Sequence, residues 1–194
     1  MKIDNRVKCS YRQTDIRILS ASLALLAIAS WASPASADLV ANNVRAALYN
    51  VAGERVGIAQ LTQLPDEVRI VTHVRGLTPG FHGFHVHAVG LCEPDSFMSA
   101  GGHYKLDGQD HRDHAGDLPV LLVNADGSGK AKFRTDRFAL ADLFDADGSA
   151  LIIHANPDNY ANIPTARYAP PPDITTLATG DAGARIACGV IGDD

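Results

Sequence analysis

The sequence has no apolar run long enough to cross a membrane as a helix. Its most apolar stretch, residues 18–28, is much shorter than the roughly 20 residues that a spanning helix needs. Five Lys and Arg residues precede this stretch and the small-residue sequence Ala35-Ser36-Ala37 follows it, which is the order of a secretory signal peptide. We therefore predict that residues 1–37 are a signal peptide and that the mature chain begins near Asp38. A retained signal anchor is the alternative.

Cysteine is scarce, with three residues in the whole chain. Cys9 falls within the predicted signal peptide, so the mature chain keeps only Cys92 and Cys188. An even pair in an exported protein predicts one disulfide, and two free buried thiols are the alternative. Cys9 also precedes the apolar stretch, whereas a lipid-modified cysteine follows such a stretch. Its position therefore disfavours a lipid anchor.

Clusters of positive charge are missing as well. Residues 38–194 contain twelve Lys and Arg against twenty Asp and Glu, and no run of basic residues occurs among them. Nucleic acids and anionic membranes both attract clustered Lys and Arg. The composition therefore predicts that neither of them is the main partner of the mature chain.

No internal repeat, flexible linker or sustained amphipathic helix pattern is visible in residues 38–194. Instead, short runs rich in Val, Ile and Leu alternate with turn residues such as Asp126-Gly127, which is typical of antiparallel strands. The predicted strands are residues 44–50, 56–61, 68–74, 82–89, 118–124, 129–135, 150–155 and 184–190. The predicted fold class is all-β: one domain, residues 38–194, with eight antiparallel strands in a barrel or sandwich. Residues 90–117 and 156–183 are too long for turns and are predicted to be functional loops.

Four histidines occupy positions suited to metal binding. His85 and His87 are two residues apart in a predicted strand, so both side chains project from one face. Taken alone, this pair fits a solvated strand face as well as a metal site. His103 follows two glycines in the first long loop, and His154 ends an apolar strand. The four together predict a metal site built from separate parts of the chain.

Five sequence motifs resemble those of a known family. They are HGFHVH at residues 82–87, SAGGHY at 99–104, HAGDLP at 114–119, SALIIH at 149–154 and GARIACGVIG at 183–192. The chain resembles the copper-zinc superoxide dismutases, in particular their bacterial exported branch. The resemblance implies an antiparallel Greek-key barrel and the dismutation of superoxide to oxygen and hydrogen peroxide.

By this resemblance, four histidines hold copper: His85, His87, His103 and His154. Imidazole nitrogens suit copper in both of its common oxidation states. One superoxide would reduce Cu(II) and leave as oxygen, and a second would reoxidise Cu(I), take up two protons and leave as hydrogen peroxide. His103 would deliver one of these protons, and Arg185 would attract and hydrogen-bond the anion. This activity would protect the exported compartment, periplasmic or extracellular, from oxidative damage.

The resemblance also implies a zinc site formed by His103, His111, His114 and Asp117, with His103 shared between the two metals. Here the sequence departs from the family, because only two residues separate His111 from His114 where zinc-binding members have a longer segment. Copper with zinc and copper alone therefore both stay open. The family also has a carboxylate that links ligands of the two metals, and Asp158 matches it. An ordinary loop carboxylate is the alternative for Asp158.

The expected small-molecule partner is the superoxide anion, and the sequence leaves monomer and homodimer open. The segment before Arg185 lacks the Lys often found there in the family, so attraction of the anion would depend on Arg185 or on Arg167. His73 and His82 are predicted to be structural. Two other functions stay open: a copper-binding or copper-delivery protein without turnover, and a structural β domain whose histidines bind nothing.

Overall fold

The computed structural model describes residues 42–106, 109, 111, 113–160 and 172–192. Residues Asp38–Asp194 form one structural unit. The predicted signal peptide and Arg167 lie outside the described residues, so both stay predictions. No helix of the described part of the chain is long and apolar enough to cross a membrane.

In the described residues, nine antiparallel strands form one sheet that curls into a nearly closed barrel. They are β1 Asn43–Asn50, β2 Arg55–Gln63, β3 Val68–Val74, β4 Gly80–His82, β5 Phe84–His87, β6 Leu121–Val123, β7 Gly129–Thr135, β8 Ala150–His154 and β9 Arg185–Val190. Their order in the sheet is β4-β6-β7-β3-β2-β1-β9-β8-β5. Neighbours such as β3 and β7 are far apart in the sequence, as long Greek-key connections require. The predicted all-β antiparallel class is confirmed.

The strand predicted at residues 82–89 is in fact two strands, which is why the sheet has nine strands and not eight. His82 pairs with Leu121 of β6, whereas Phe84 pairs with Ile153 of β8. The chain changes partners at Gly83, where a Cβ atom would lie 2.6 Å from the Cβ of Ala182. Glycine lets the two segments approach this closely. The break therefore places β5, with two of the histidines, against β8.

The barrel interior is filled by fully buried side chains that include Leu48, Leu61 and Ile70. Phe84 meets Phe133 edge to face, with ring centroids 6.5 Å apart, which is a favourable arrangement for two aromatic rings. Every residue of β5 and of β8 is buried, so these two strands are covered on both faces. Histidines on β5 and β8 are consequently shielded from bulk water.

Cys92 and Cys188 form a disulfide, with Cα atoms 5.8 Å apart. The predicted pairing is therefore confirmed over two free thiols. The bridge closes a sequence separation of 96 residues, for which the chain-entropy account gives about 4 to 5 kcal/mol of stabilisation. It ties the first long loop to β9, three residues from Arg185.

Each long loop contains a short helix. The first loop holds the 3₁₀ helix Met98–Ala100, and the second holds α1, Ile174–Thr179, which the sequence did not predict. The Asp173 carboxylate accepts hydrogen bonds from the backbone N–H groups at the start of α1. Gly180 ends α1 in the left-handed conformation, with φ of 59°.

Candidate metal centre

Four buried imidazoles converge beside strands β5 and β8. His85 and His87 come from β5, His103 from the first long loop and His154 from the end of β8. One nitrogen of each ring lies within 4.8 Å of the corresponding nitrogens of the other three. A β-bridge between His87 and His103 holds the loop residue beside the strand. The structure thus brings together the four histidines that the sequence marked as copper ligands.

Each of these rings is oriented by a hydrogen bond from one nitrogen. His85 Nε2 donates to Asp158 Oδ2 at 2.6 Å, and His103 Nδ1 donates to Asp117 Oδ1 at 2.8 Å. His87 Nδ1 donates to the Gly101 carbonyl at 2.9 Å, and His154 Nδ1 to the Gly183 carbonyl at 3.0 Å. These bonds fix the direction in which each remaining nitrogen points.

The remaining nitrogens of the four rings are buried and have no hydrogen-bond partner among the described residues. They are Nδ1 of His85 and Nε2 of His87, His103 and His154. A buried polar atom without a partner is costly, and four of them within reach of each other need a common explanation. A cation that accepts four imidazole lone pairs supplies one. The donor set therefore fits copper.

Burial keeps the imidazoles of His87, His103 and His154 neutral. It lowers the pKa of His87 well below its usual value, and it lowers the pKa of His103 to about 4 and that of His154 to about 3. For His103 the hydrogen bond to Asp117 opposes burial but does not overcome it. Near neutral pH all three rings consequently have lone pairs available to a metal.

A second cluster adjoins the first through His103. Its members, His103, His111, His114 and Asp117, have ligand atoms within 4.8 Å of one another. Asp117 Oδ2 lies 3.2 Å from His111 Nδ1 and 3.4 Å from His114 Nδ1, while its Oδ1 accepts from His103. The short spacing of His111 and His114 does not keep their rings from the same carboxylate. Three nitrogens and one carboxylate oxygen form a donor set that fits tetrahedral zinc.

The second cluster holds a proton in the absence of a metal. Burial alone would lower the pKa of His111, but hydrogen bonds to Asp117 and Asp158 raise it to about 9. Burial alone would raise the pKa of the Asp117 carboxyl. Hydrogen bonds from the histidines instead hold this pKa far below its usual range. The protonated His111 therefore supplies positive charge next to two carboxylates, as a bound cation would.

Asp158 connects the two clusters. Its Oδ2 accepts from His85 Nε2 at 2.6 Å and its Oδ1 accepts from His111 Nε2 at 2.8 Å. The backbone N–H of Tyr160 also donates to Oδ1, at 2.6 Å. Hydrogen bonds from His111 and His85 outweigh burial and keep the pKa of Asp158 below its usual range. Asp158 is thus in contact with a ring of each cluster, as the linking carboxylate of the sequence analysis would be.

Arg185 lies at the open side of the histidine cluster. Its Nη1 donates to the Phe97 carbonyl at 2.5 Å and its Nη2 to the Gly101 carbonyl at 2.6 Å. The guanidinium lines a cavity of about 460 Å³ together with His87, His103 and His154. Two carbonyls fix the fork in place, so its remaining N–H groups are available to a small anion in this cavity.

Sequence reasoning missed several residues that shape the site. Gly180 stands against Asp158 and His111, and a Cβ atom there would collide with Asp158 Oδ1 and His111 Nε2. Residues of α1 and the exposed Met98 line the cavity mouth. Of these residues, only Gly180 could have been singled out from the sequence, because glycine is a common residue at the end of a helix.

The other two histidines lie outside both clusters. His82 is buried, with Nδ1 2.6 Å from the His154 carbonyl and Nε2 2.8 Å from the Thr78 carbonyl. His73 is exposed on β3, opposite Ile58 of β2. Neither offers a nitrogen to the metal-ligand groups of the described residues.

A Greek-key barrel with two adjoining clusters of buried residues that could hold metal ions is typical of a class of metalloproteins. The family described as copper/zinc superoxide dismutase (SODC) matches residues 55–191. The chain belongs to this family.

Known relatives agree with this assignment. The Cu-Zn superoxide dismutase of Mycobacterium tuberculosis is 51% identical over 136 residues, which cover 62% of this chain and 57% of that protein. The chain therefore spans little more than half the length of this relative. The Cu-Zn superoxide dismutase of Caulobacter vibrioides is 36% identical, over 72% of this chain and 79% of the relative. A solved double mutant of a SOD-like protein from Bacillus subtilis has a TM-score of 0.63 at 34% identity and covers 75% of this chain and 94% of its own.

Proposed function

We propose that this chain is a superoxide dismutase whose copper ion is held by His85, His87, His103 and His154. The observation that carries the proposal is the set of four buried imidazole nitrogens beside the Arg185 guanidinium, which face one another and have no hydrogen-bond partner in the described part of the chain. Membership of the copper/zinc superoxide dismutase family supports the same activity. Two superoxide anions and two protons would give one oxygen and one hydrogen peroxide.

Copper supplies the electron chemistry when it is bound, because it accepts an electron in one half of the reaction and returns it in the other. The protein supplies binding and protons. Arg185 would hold the anion at the cavity floor through N–H groups that the Phe97 and Gly101 carbonyls do not occupy. His103 would pass a proton from Nε2 to the product, while its Nδ1 side holds the ring in place, by the hydrogen bond to Asp117 without zinc and as a zinc ligand when zinc is bound.

The second cluster is proposed as a zinc site. His103, His111, His114 and Asp117 supply the donor types and number that a structural zinc ion uses. Asp158 would then align a ligand of each metal at once, since its two oxygens accept from His85 and His111. Zinc at this site would replace the proton that His111 holds and would fix the loop that supplies His103.

We further propose that the protein is exported and works outside the cytoplasm. Residues 1–37 have the order of a signal peptide, and cleavage near Asp38 would release the barrel. The Cys92–Cys188 disulfide supports an oxidising compartment, where such bonds persist. The role of the activity would be to remove superoxide in that compartment.

The experiment uses the chain matured in an oxidising compartment and purified without added metal. Elemental analysis counts copper and zinc per chain, and stopped-flow spectroscopy then follows superoxide decay after copper loading. The proposal predicts one copper, one zinc and rapid decay that a copper chelator abolishes. A protein that binds copper at this stoichiometry but leaves superoxide decay at the spontaneous rate would be a copper carrier instead.

A further inference from the structure

Four neighbouring strands of the barrel carry positive charge and no negative charge. Strands β1, β2, β3 and β7 contain no Asp or Glu, although residues 38–194 hold twenty of them. The basic residues of these strands are Arg45, Arg55, Arg69, Lys130, Lys132 and Arg134. Half of the twelve Lys and Arg in residues 38–194 therefore belong to one part of the sheet.

The strand register places these side chains in rows. Each row takes one residue from β2, one from β3 and one from β7: Thr62, Arg69 and Arg134; Gln60, Val71 and Lys132; Ile58, His73 and Lys130. Arg45 of β1 pairs with Gln60 and extends the middle row. Successive rows are two residues apart along each strand, or about 7 Å, and neighbouring strands lie about 4.8 Å apart. We call the outward side of these rows the cationic sheet face.

Among the described residues, little negative charge lies against the cations of β7 in the cationic sheet face. Lys130 and Lys132 are exposed and form no ion pair with a residue that the structure describes. Arg134 pairs with Glu67 at 3.2 Å, but their side chains are 62% and 42% exposed, and such surface pairs contribute little. Arg69 Nε is buried and has no hydrogen-bond partner among the described residues.

Two carboxylates in the turns that flank this face accept hydrogen bonds within their own turns. Glu54, in the turn between β1 and β2, accepts a hydrogen bond from the Asn50 amide at 2.8 Å. Asp126, in the turn between β6 and β7, accepts from the Ser128 hydroxyl at 2.6 Å. These two carboxylates thus lie beyond the ends of the strands, outside the rows.

Positive charge continues beyond the rows into a small cavity. This cavity, of about 300 Å³, is lined by Arg55, His73 and Arg75, with Gly57 and Ile58 between them. Its volume is at the lower end of the range for small-ligand pockets. The cationic sheet face therefore combines a flat row of charges with a pocket that could receive one unit of a polymer.

We propose that the cationic sheet face binds a linear acidic polysaccharide that carries carboxylates. Cations at intervals of about 7 Å along β7, at Lys130, Lys132 and Arg134, suit a chain of regularly repeated anions. Gln60 and Thr62 lie among the cations. Gln60 Nε2 donates to Asn43 and Thr62 Oγ1 accepts from Arg69, so the Gln60 amide oxygen and the Thr62 O–H are the groups that would bond sugar hydroxyls. None of the exposed large apolar side chains of the described residues belongs to the rows, so the face has no anchor for a lipid bilayer.

A second copy of this chain is a poorer occupant, because two such faces would bring like charges together.

The metal centre stays accessible when the face is occupied. In the sheet order, β9 stands between the four strands of the cationic sheet face and the strands β8 and β5 that carry histidines of the cluster. Binding would thus hold an active enzyme on an acidic glycan without closing the cavity beside Arg185.

The test measures binding of the purified chain to immobilised polyuronate, with neutral dextran as the reference surface. The proposal predicts binding to polyuronate alone, weakened as salt rises, since exposed charges are screened within about 10 Å at 0.1 M salt. The triple variant Lys130→Gln, Lys132→Gln and Arg134→Gln should bind about tenfold more weakly or worse. Unchanged thermal unfolding of the triple variant shows that it folds.

A matched pair of single variants locates the binding site. Lys132→Gln removes one charge from the cationic sheet face, and Lys105→Gln removes one exposed charge outside it. Weaker binding for Lys132→Gln alone supports the proposal. Equal effects of the two variants, no effect of the triple variant, or binding to anionic phospholipid vesicles or DNA in place of polyuronate would overturn it.

Discussion

Asp158 accepts a hydrogen bond of 2.6 Å from Nε2 of His85, and this bond joins the two halves of the metal centre. The same carboxylate holds His111 through its other oxygen at 2.8 Å. Because both rings belong to ligand clusters, a change at Asp158 is expected to reach both metals.

Replacement of Asp158 by Asn tests this connection. An amide offers one accepting oxygen, and its NH₂ group faces the other ring, so one histidine loses its orientation. We expect affinity for at least one metal to fall by about 10- to 100-fold, the usual effect of losing such a partner. Competition titration with a chelator measures it. Asp66→Asn, at an exposed carboxylate of the β2–β3 turn, is the matched control and should leave both affinities unchanged.

Gly180 is predicted to be essential to the second cluster. Ala at this position would strain a left-handed residue, with φ of 59°, and would push its Cβ into Asp158 and His111. Gly53→Ala imposes similar strain, at φ of 76°, but its Cβ would meet nothing within 4 Å. Both variants should lose about 1 to 2 kcal/mol of unfolding free energy from strain. Only Gly180→Ala should also lose zinc affinity, and equal zinc affinity in the two variants would refute the role of Gly180.

The stability of the metal-free protein should pass through a maximum near pH 6.5. Burial lowers the pKa of His103 to about 4 and that of His154 to about 3, so below pH 6.5 the unfolded chain binds more protons than the folded one. As the pH falls below 6.5, each of these residues therefore lowers the free energy of unfolding by about 1.4 kcal/mol per pH unit, until the pH reaches its folded pKa. The pKa of His111 is instead raised to about 9, so its stabilisation is complete below pH 6.5 and is lost as the pH rises through 9.

Urea unfolding of chelator-treated protein at pH 4.5, 6.5 and 9 measures this profile. A free energy of unfolding that is level from pH 6.5 down to 4.5 would show that the histidines are not buried as neutral rings. A level profile from 6.5 up to 9 would show that His111 does not hold the extra proton.

Arg185→Lys should slow superoxide consumption without removing copper. Lysine keeps the charge but cannot donate to the Phe97 and Gly101 carbonyls while presenting further N–H groups to an anion. We expect the second-order rate constant to fall on the order of tenfold at unchanged copper content. Arg75→Lys, an exposed cation beyond β3, serves as the control. Loss of copper in Arg185→Lys would instead point to a structural role.

Much of this fold was predictable because strand patterns are local. Alternating and apolar runs marked β1, β3, β7 and β8 nearly to their observed ends. The break at Gly83 was not predictable, since it depends on the close approach of Ala182 from the second long loop. Helix α1 was missed because its six residues are too few for a periodic pattern.

The residues of the candidate site also divide into those that the sequence predicted and those that only the folded structure brings together. His85 and His87 show their common face in the sequence, and His154 shows its place at a strand end. The meeting of His111 and His114 on Asp117 depends on loop geometry, which the spacing of the residues leaves open. The cationic sheet face was hidden for a related reason: its charges are neighbours across strands and never form a run along the chain.

The rate constant of superoxide consumption per bound copper, compared between His87→Ala and His73→Ala, tests the central claim most directly. His87 is a buried member of the four-imidazole cluster, and His73 is an exposed histidine outside it. The account predicts that His73→Ala keeps one copper and the parental rate, while His87→Ala loses almost all activity and changes the copper spectrum. Parental activity and an unchanged copper spectrum in His87→Ala would contradict it.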